Sequence, residues 1–338
     1  MTEPQLTPAD RAYLLVNGFR AAQVVRAAVG LRVFEHVDGG ATTAPLLARA
    51  AGVEEDRLRR LLRALIAFGL IVESDDGRIA NTAVGEQFVE DRRSIVRAQA
   101  LMLMPDSYPS WAHLEDVLRT GRTGHSLAYG ETRWQSLDRD PSSAIAFNQV
   151  MVAQSERTTA MVAASIDFTG ARVVVDVGGG NGALTAGVLL AHPHLQGVIA
   201  DLPAGLSGAA AYLDGKGLAG RYRLVEADFF KSVPAGDVYL LKHILHDWDD
   251  DRSAAILQSC RRSIAAGGRI VLVERPLPSR PGSSQKDVTL AMLDLQMMVE
   301  LGGKERTLDE YEALLAGAGF SFRRVVPGEV YSLIEAAA

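Results

Sequence analysis

A nearly continuous run of valines that ends in a glycine-rich loop constrains the fold of this chain more than any other segment. The run is Val173–Val177, and Gly178–Gly182 follows it directly before a helical pattern begins at Ala183. An uninterrupted apolar strand is typical of a parallel sheet covered on both faces. Glycines let the backbone approach a ligand closely, and a helix N-terminus favours an anionic group. The segment therefore predicts the first strand and the ligand-binding loop of an open α/β sheet.

After this loop, strand patterns alternate with helical ones to the end of the chain. The strand patterns are Gly197–Ala200, Arg223–Glu226, Val238–Lys242 and Arg269–Glu274, and the closing pair is Phe320–Val326 and Tyr331–Ala336. Helical stretches such as Ala183–Ala191 and Arg252–Ala265 lie between them. The alternation predicts an α/β fold with a doubly wound sheet that ends in a C-terminal antiparallel hairpin.

The N-terminal part has a different pattern. A long apolar helix over Ala9–Val29 precedes a short helix, a second helix over Glu54–Phe68, and a hairpin with an Asp-Gly turn near Gly77. This order is typical of a winged helix, which most often binds DNA. The helix over Glu54–Phe68 carries Arg57, Arg59, Arg60 and Arg63. A net charge of -6 argues against nucleic-acid binding. The other interpretation is that these arginines form a solvated face of the helix.

Composition indicates a soluble chain in a reducing compartment. Cys260 is the single cysteine, which excludes an intramolecular disulfide framework. No apolar run approaches the roughly 20 residues of a membrane span, and Met1–Asp10 lacks the apolar region of a signal peptide. We therefore expect a cytoplasmic protein with no membrane partner.

The glycine loop alone does not identify its ligand. Gly178, Gly180 and Ala183 satisfy the dinucleotide fingerprint, and Asp201 lies about twenty residues on, where a ribose-binding acid belongs. NAD and S-adenosylmethionine both remain open on this evidence, and a dehydrogenase is one alternative.

Three acidic positions favour S-adenosylmethionine. Asp176 lies inside the strand before the loop, where it would crowd a pyrophosphate but suits the ammonium group of a methionine. Asp201 stands at a strand end and is placed for two ribose hydroxyls. Asp228 and Phe229 end the next strand, where a carboxylate and an aromatic ring suit an adenine. Taken alone, Phe229 is also compatible with core packing.

An ordered series of motifs resembles the plant-type small-molecule O-methyltransferases, such as caffeate O-methyltransferase, and their bacterial natural-product relatives. The resemblance covers nearly the whole chain. Its motifs are Asp176–Gly182, Asp201–Pro203, Asp228–Phe230, Leu241–Trp248, Glu274 and Gly302–Thr307. It implies a Rossmann-like class I methyltransferase that uses S-adenosylmethionine and releases S-adenosylhomocysteine.

The resemblance also implies a domain organisation and a partner. A mostly helical, winged-helix-like dimerisation domain would occupy residues 1–100, a helical linker lining the substrate pocket 101–166, and the cofactor-binding catalytic domain 167–338. The expected partners are a second copy of the chain and an aromatic small molecule.

The resemblance and the loop together assign contacts residue by residue. The cofactor-binding residues are Ser155, Asp176, Gly178, Gly180, Asp201, Leu202, Asp228, Phe229 and Lys242. The substrate-pocket residues are Phe147, Met151, Trp248, Met292 and Gln296. No group of histidine, cysteine and acidic residues shows metal-ligand spacing, so the sequence predicts no metal.

His246 is the residue on which the chemistry depends. It stands where a buried strand pattern runs into the acidic turn Asp247–Asp251, and ligands of open α/β sheets bind outside the carboxyl ends of strands. Histidine is well suited to moving protons near neutral pH, although a lone histidine here is equally compatible with a structural role. The resemblance implies that His246 is the general base and that Glu274 and Glu305 are its flanking carboxylates. His243 departs from the plant members, which often carry a bulky aromatic there.

These features predict methyl transfer to a phenolic hydroxyl of an aromatic secondary metabolite. Transfer to carbon or nitrogen, and a family member that no longer methylates, remain alternatives. A winged-helix regulator that senses a ligand is a more distant one.

Overall fold

The structure, a computed structural model, describes residues 6–90 and 95–338. The chain divides into two compact units, Met1–Asp106 and Ser107–Ala338. Among the helices in the described ranges, none is long and apolar enough to cross a membrane.

The first unit is helical with one small sheet. Its elements are α1 (Pro8–Gly30), α2 (Val33–Asp38), α3 (Ala44–Ala51), α4 (Glu55–Ala67), β1 (Ile71–Glu73), β2 (Ile79–Asn81) and the start of α5 (Ile95–Trp111). Strands β1 and β2 pair antiparallel across the Asp-Gly turn. Glu54 caps α4 by accepting hydrogen bonds from two backbone amides of its first turn, a common start signal for a helix. The predicted order of helix, turn, helix and hairpin is confirmed.

The N-terminal half of α1 exposes apolar side chains around the helix. Leu15 and Val16 are 84% and 75% exposed, and Tyr13, Leu14 and Phe19 are also at the surface. The core of the unit takes in only the end of α1, with Val29, and otherwise includes residues such as Phe34, Leu47, Leu58 and Ile71. Uncovered apolar surface of this size marks an interaction surface.

The second unit begins with helices and continues as an alternating α/β domain. Its helices are α6 (Leu114–Thr120), α7 (Gly124–Tyr129), α8 (Arg133–Arg139), α9 (Pro141–Ser165), α10 (Ala183–Ala191), α11 (Ala209–Gly215), α12 (Asp250–Ser263), α13 (Gln285–Glu300) and α14 (Leu308–Gly317). Its strands are β3 (Val173–Val177), β4 (Gln196–Asp201), β5 (Tyr222–Glu226), β6 (Gly236–Lys242), β7 (Ile264–Glu274), β8 (Ser321–Pro327) and β9 (Ser332–Ala337).

The sheet has the order β5-β4-β3-β6-β7-β9-β8. Strands β3 to β7 are parallel to their neighbours, while β9 is antiparallel to both β7 and β8. The predicted doubly wound sheet with a closing antiparallel hairpin is confirmed. Helix α12 ends at Ser263 rather than at the predicted Ala265, because Ile264 already pairs with Gly236 of β6.

The strand order fixes where a ligand can bind. The chain moves from β3 to β4 on one side and later returns to β6 on the other side of β3. Such a switch point opens a crevice at the carboxyl ends of the strands. Gly178, Asp201, Lys242 and Glu274 all stand at that edge, because each ends or directly follows one of these strands. Apolar clusters cover both faces of the sheet, so the edge is held rigidly.

Candidate active site

The glycine loop after β3 is tied to the end of β4. The amide of Gly180 donates a 2.8 Å hydrogen bond to Oδ2 of Asp201, and the amide of Leu202 donates a 2.7 Å bond to Oδ1. Gly180 has a φ of 54°, and a Cβ there would meet no atom within 4 Å. The loop is therefore held in place by Asp201 and leaves open space at Gly180, where a ligand can bind.

Asp176 lies deeper than its neighbours in the loop. It is 2% exposed, and its Oδ2 accepts a 2.8 Å hydrogen bond from the hydroxyl of Thr185 on α10. Burial raises the pKa of Asp176 to about 6. This carboxyl anchors α10 to β3, and its predicted contact with a ligand ammonium group stays a prediction.

Asp228 and Phe229 follow β5 and lie near the loop. Oδ1 of Asp228 accepts a 3.0 Å hydrogen bond from the amide of Phe230, and Oδ2 pairs with Lys231 at 3.0 Å. The edge of the Phe229 ring is 3.6 Å from the position of a Cβ on Gly178. An aromatic ring beside the glycine loop is placed for a flat ligand group such as adenine.

Lys242 ends β6 next to the loop. Burial lowers its pKa to about 8. Its Nζ donates a 3.2 Å hydrogen bond to Nδ1 of His243, whose φ of 56° lies in the left-handed region. Burial and the neighbouring ammonium of Lys242 hold the pKa of His243 well below its usual value, so this ring is neutral and accepts.

Ser155 is on α9 and is buried. Its hydroxyl donates a 2.8 Å hydrogen bond to the carbonyl of Met151, one turn earlier in the same helix. The donor of Ser155 is therefore engaged within the helix, and its predicted contact with a cofactor carboxylate stays a prediction.

His246 lies in a short 3₁₀ turn, Leu245–Asp247, immediately after β6. Its Nδ1 donates a 2.9 Å hydrogen bond to Oε1 of Glu305, and Oε2 of Glu274 is 3.8 Å from the same nitrogen. Glu274 is fixed by the amide of Leu245, which donates to its Oε1 at 3.2 Å. The structure thus brings together the three residues that the sequence predicted as catalytic.

The charges around His246 set its proton affinity. Burial by itself would lower the pKa of His246, but the carboxylates of Glu274, Asp247 and Glu305 outweigh it and raise the pKa to about 9. Burial raises the pKa values of Glu274 and Asp247 in turn. With Nδ1 directed at Glu305, the neutral ring leaves the lone pair on Nε2, the nitrogen that acts as a base.

Two features of this cluster escaped the sequence. Oδ1 of Asp247 is 3.3 Å from Nε2 of His246, so a third carboxylate faces the base nitrogen. Its position directly after the histidine was the available signal. Arg306 is fully buried and donates to the carbonyls of Leu245 and Trp248 on either side of His246. Nothing in the local pattern indicates that a buried arginine holds this turn.

Three aromatic side chains, those of Trp134, Phe147 and Trp248, form an aromatic wall next to the turn that contains His246. The rings of Trp134 and Trp248 are stacked with centroids 5.9 Å apart, and Trp134 meets Phe147 edge to face at 6.4 Å. Phe147 and Met151 lie one helical turn apart on α9 and are both partly buried. Trp134 was not singled out from the sequence, whereas Phe147 and Trp248 were.

The two pocket residues predicted on α13 differ in their surroundings. Gln296 is engaged at both ends, because its Oε1 accepts from Nε1 of Trp111 at 2.5 Å and its Nε2 donates to the hydroxyl of Ser107 at 3.3 Å. Met292 is 47% exposed. Their contacts with a substrate stay predictions.

His246, Glu274 and Glu305 also offer donor atoms within 4.8 Å of one another, a separation that a metal ion can span. The hydrogen bond between His246 and Glu305 accounts for this proximity without an ion. The sequence-based expectation of a site without metal stays a prediction.

The residues at the strand ends fit S-adenosylmethionine. Gly180 leaves open space in front of the loop, Asp201 places a carboxylate beside that space, and Phe229 supplies a ring at the same edge. This donor set matches a ribose diol and a flat base.

Comparison with known proteins identifies relatives over the whole chain. A family model described as the O-methyltransferase domain matches residues 111–321, and one described as the O-methyltransferase dimerisation domain matches residues 13–91. The chain is similar to mitomycin biosynthesis 6-O-methyltransferase of Streptomyces lavendulae, with 36% identity over 93% of this chain and 89% of the relative.

A solved structure and a second relative also match most of the chain. The O-methyltransferase NcsB1 from neocarzinostatin biosynthesis, in complex with S-adenosylmethionine and 2-hydroxy-5-methyl naphthoic acid, is 34% identical over 94% of this chain and 95% of its own, with a TM-score of 0.84. Aclacinomycin 10-hydroxylase RdmB of Streptomyces purpurascens is 33% identical over 88% of this chain and 80% of its own length. The relatives therefore include a protein named for a different reaction.

Proposed function

The chain belongs to the O-methyltransferase family, and we propose that it methylates a phenolic hydroxyl of an aromatic secondary metabolite with His246 as the general base. The cofactor is S-adenosylmethionine, which supplies an electrophilic methyl group on its sulfonium sulfur when bound. The N-terminal domain is the family's dimerisation domain, and the chain forms a homodimer through it. A cytoplasmic location completes the proposal, and the single cysteine supports it.

The observation that carries the base assignment is the hydrogen bond from His246 to Glu305. It holds the Nδ1–H of the ring on that carboxylate, so that the lone pair of the neutral ring lies on Nε2, the nitrogen that also faces Oδ1 of Asp247 at 3.3 Å. A phenol has a pKa of about 10 and is mostly protonated at neutral pH, so a base must remove its proton. Proton transfer from such a phenol to an unperturbed histidine, with a pKa of about 6.5, is uphill by roughly 5 kcal/mol. The carboxylates that raise the pKa of His246 to about 9 remove most of this gap.

The chain's own residues divide the work around the acceptor. Nε2 of His246 takes the hydroxyl proton, and Glu305 and Glu274 stabilise the imidazolium that forms. Asp201, Phe229 and the open face of Gly180 hold the cofactor at the strand ends. With the cofactor bound, these residues would hold its methyl group within reach of the acceptor oxygen, and such positioning supplies much of the rate of a displacement.

Substrate chemistry follows from the relatives and from the aromatic wall. NcsB1 is described with a hydroxylated naphthoic acid, and the mitomycin relative is named for transfer to oxygen. Trp134, Phe147 and Trp248 supply flat apolar surfaces for a fused ring. A bicyclic or larger hydroxylated aromatic compound is therefore the proposed acceptor class.

A non-methylating reaction is the second candidate, because RdmB is named as a hydroxylase. The intact cluster of His246, Glu274 and Glu305 favours methyl transfer, since removal of a hydroxyl proton is a step that such a base performs. Product analysis separates the two reactions, because methylation adds one carbon to the acceptor and hydroxylation adds one oxygen.

The test is a labelled-methyl transfer assay with hydroxynaphthalenes, using His246→Ala beside the parent. We expect the variant to lose roughly 10²–10⁴-fold in kcat, the usual scale of general-base catalysis. Its affinity for S-adenosylhomocysteine should equal that of the parent, which excludes a folding defect. His113→Ala is the matched control, because His113 is 37% exposed and pairs only with its helical neighbour Asp116. A His246→Ala variant as fast as the parent would sink the base assignment.

A further inference from the structure

Trp134 carries a buried N–H group that has no partner in the part of the chain that the structure describes. Its Nε1 is inaccessible to solvent and finds no hydrogen-bond acceptor among the residues that the structure describes. Buried indole N–H groups are normally paired, because an unmade hydrogen bond leaves a desolvated donor. Trp111 shows the ordinary situation, since its Nε1 donates to Gln296 at 2.5 Å.

The unpaired donor of Trp134 belongs to the aromatic wall next to the turn that contains His246. The ring stacks on Trp248, which follows His246 and Asp247 directly, and it meets the edge of Phe147. Gln296, the polar residue predicted to contact a substrate, already uses its oxygen on Trp111 and its nitrogen on Ser107. Trp134 therefore presents an unpaired indole N–H within the aromatic wall, against the residue that ends the His246 turn.

We propose that Trp134 is a specificity-determining residue whose N–H donates a hydrogen bond to a second oxygen of the methyl acceptor. An indole nitrogen is a donor only, so the substrate oxygen must be an acceptor. The substrate class is thus a hydroxylated aromatic compound that also bears a carbonyl, quinone or carboxylate oxygen. This inference rests on the proposed function, because it assigns a second contact in the same site.

A site built to hydrogen-bond a substrate oxygen rejects an analogue that lacks it, because the buried donor is then left unpaired. The experiment compares hydroxynaphthyl methyl ketones with the matched ethyl naphthols, which keep the two-carbon substituent but lack the carbonyl oxygen. Each substrate is assayed with the parent and with Trp134→Phe, which keeps an aromatic ring and removes the N–H. Because both proteins act on the same compound, differences in phenol acidity cancel.

For at least one ketone isomer, we expect Trp134→Phe to lower kcat/KM about tenfold more than for its ethyl partner. Trp111→Phe is the control variant, since its N–H is already bound within the protein, and it should affect ketone and ethyl compounds alike. Equal losses on both substrate series with Trp134→Phe, or no loss on either, would overturn the proposal.

A binding measurement keeps the inference testable if the variant does not fold. The parent should bind an acetylnaphthalene about five- to tenfold more tightly than the matching ethylnaphthalene in calorimetry, across the same positional isomers. Equal affinities for every isomer would contradict the assignment. Methyl transfer to the ethyl naphthols by the parent shows that the proposed function stands even where this inference fails, and absence of transfer to every compound would instead count against the function itself.

Discussion

Nη1 of Arg306 donates a 2.7 Å hydrogen bond to the carbonyl of Leu245, the residue before His246. On the other side of that histidine, Nη2 donates to the carbonyl of Trp248 at 2.8 Å. Arg306 also follows Glu305 directly, so one short segment supplies both the partner of the base and the clamp on its backbone. A Cβ on Gly303 would collide with the carbonyl of His246, which shows how closely the two segments pack.

Replacing Arg306 by methionine should destabilise the protein and misplace the base. Arg306 is fully buried, and its loss removes its hydrogen bonds to the carbonyls of Leu245 and Trp248, to the hydroxyl of Ser253 and to Oδ1 of Asp250. Breaking a buried charged network of this kind costs about 3–5 kcal/mol in the free energy of unfolding. Urea denaturation measures the stability, and kcat in the folded fraction reports the position of His246.

Lys304→Met is the matched control for that variant. Lys304 pairs with the same carboxyl group, that of Asp250, at 2.9 Å, but its side chain is 38% exposed. An exposed ion pair contributes about 0–1 kcal/mol. If both variants lose similar stability, the clamp formed by Arg306 is not the source of the effect.

The pH dependence follows from the raised pKa of His246. With a pKa of about 9, only about 1% of the ring is neutral at pH 7. Because deprotonation generates the base, kcat/KM should rise roughly tenfold per pH unit from pH 7 toward 9 and fall above the phenol pKa of about 10. A stopped-time assay between pH 6.5 and 10.5, with circular dichroism to confirm folding, measures this profile. A plateau already reached at pH 7 would contradict it.

Glu274 and Glu305 should act differently on that profile. Glu274 raises the pKa of His246 by its charge, since it lies 3.8 Å from Nδ1. Glu274→Gln should therefore move the rising limb to lower pH. Glu305 raises that pKa as well, but it also makes the hydrogen bond that orients the ring, so Glu305→Gln should both shift the rising limb and lower the maximal kcat roughly 10²-fold. Identical profiles for the two variants would show that the carboxylates do not have separate roles.

How much of this site was accessible from sequence depends on the range of each contact. The valine run and glycine loop predicted β3 and its ligand edge, because strand period and glycine conformations are local properties. The contact of His246 with Glu305 spans 59 positions, and only the family resemblance indicated it. The roles of Arg306 and Trp134 depend on side chains that meet through the tertiary fold, and a charged or aromatic residue at those positions gives no local signal.

The same limit applies to Asp176. Its position inside a strand predicted a contact with a ligand ammonium group, which stays a prediction, while the hydrogen bond that it accepts from the hydroxyl of Thr185 had no signal in the sequence. Side-chain direction within a fully covered strand is set by the neighbouring helix, and sequence spacing does not specify it.

The exposed face of α1 should be required for dimer formation. Leu15 and Val16 project apolar side chains that are 84% and 75% exposed in a single chain, within the segment matched by the dimerisation family. Burying a leucine contributes about 1.5–3 kcal/mol, and a glutamate at a two-fold interface is opposed by its own copy. Leu15→Glu should therefore raise the dimer dissociation constant at least about tenfold in analytical ultracentrifugation.

Leu118→Glu, at a 66% exposed position on α6 in the second unit, is the control and should leave the dissociation constant unchanged. A Leu15→Glu protein that stays dimeric at the concentrations where the parent begins to dissociate would show that the two copies meet through another surface.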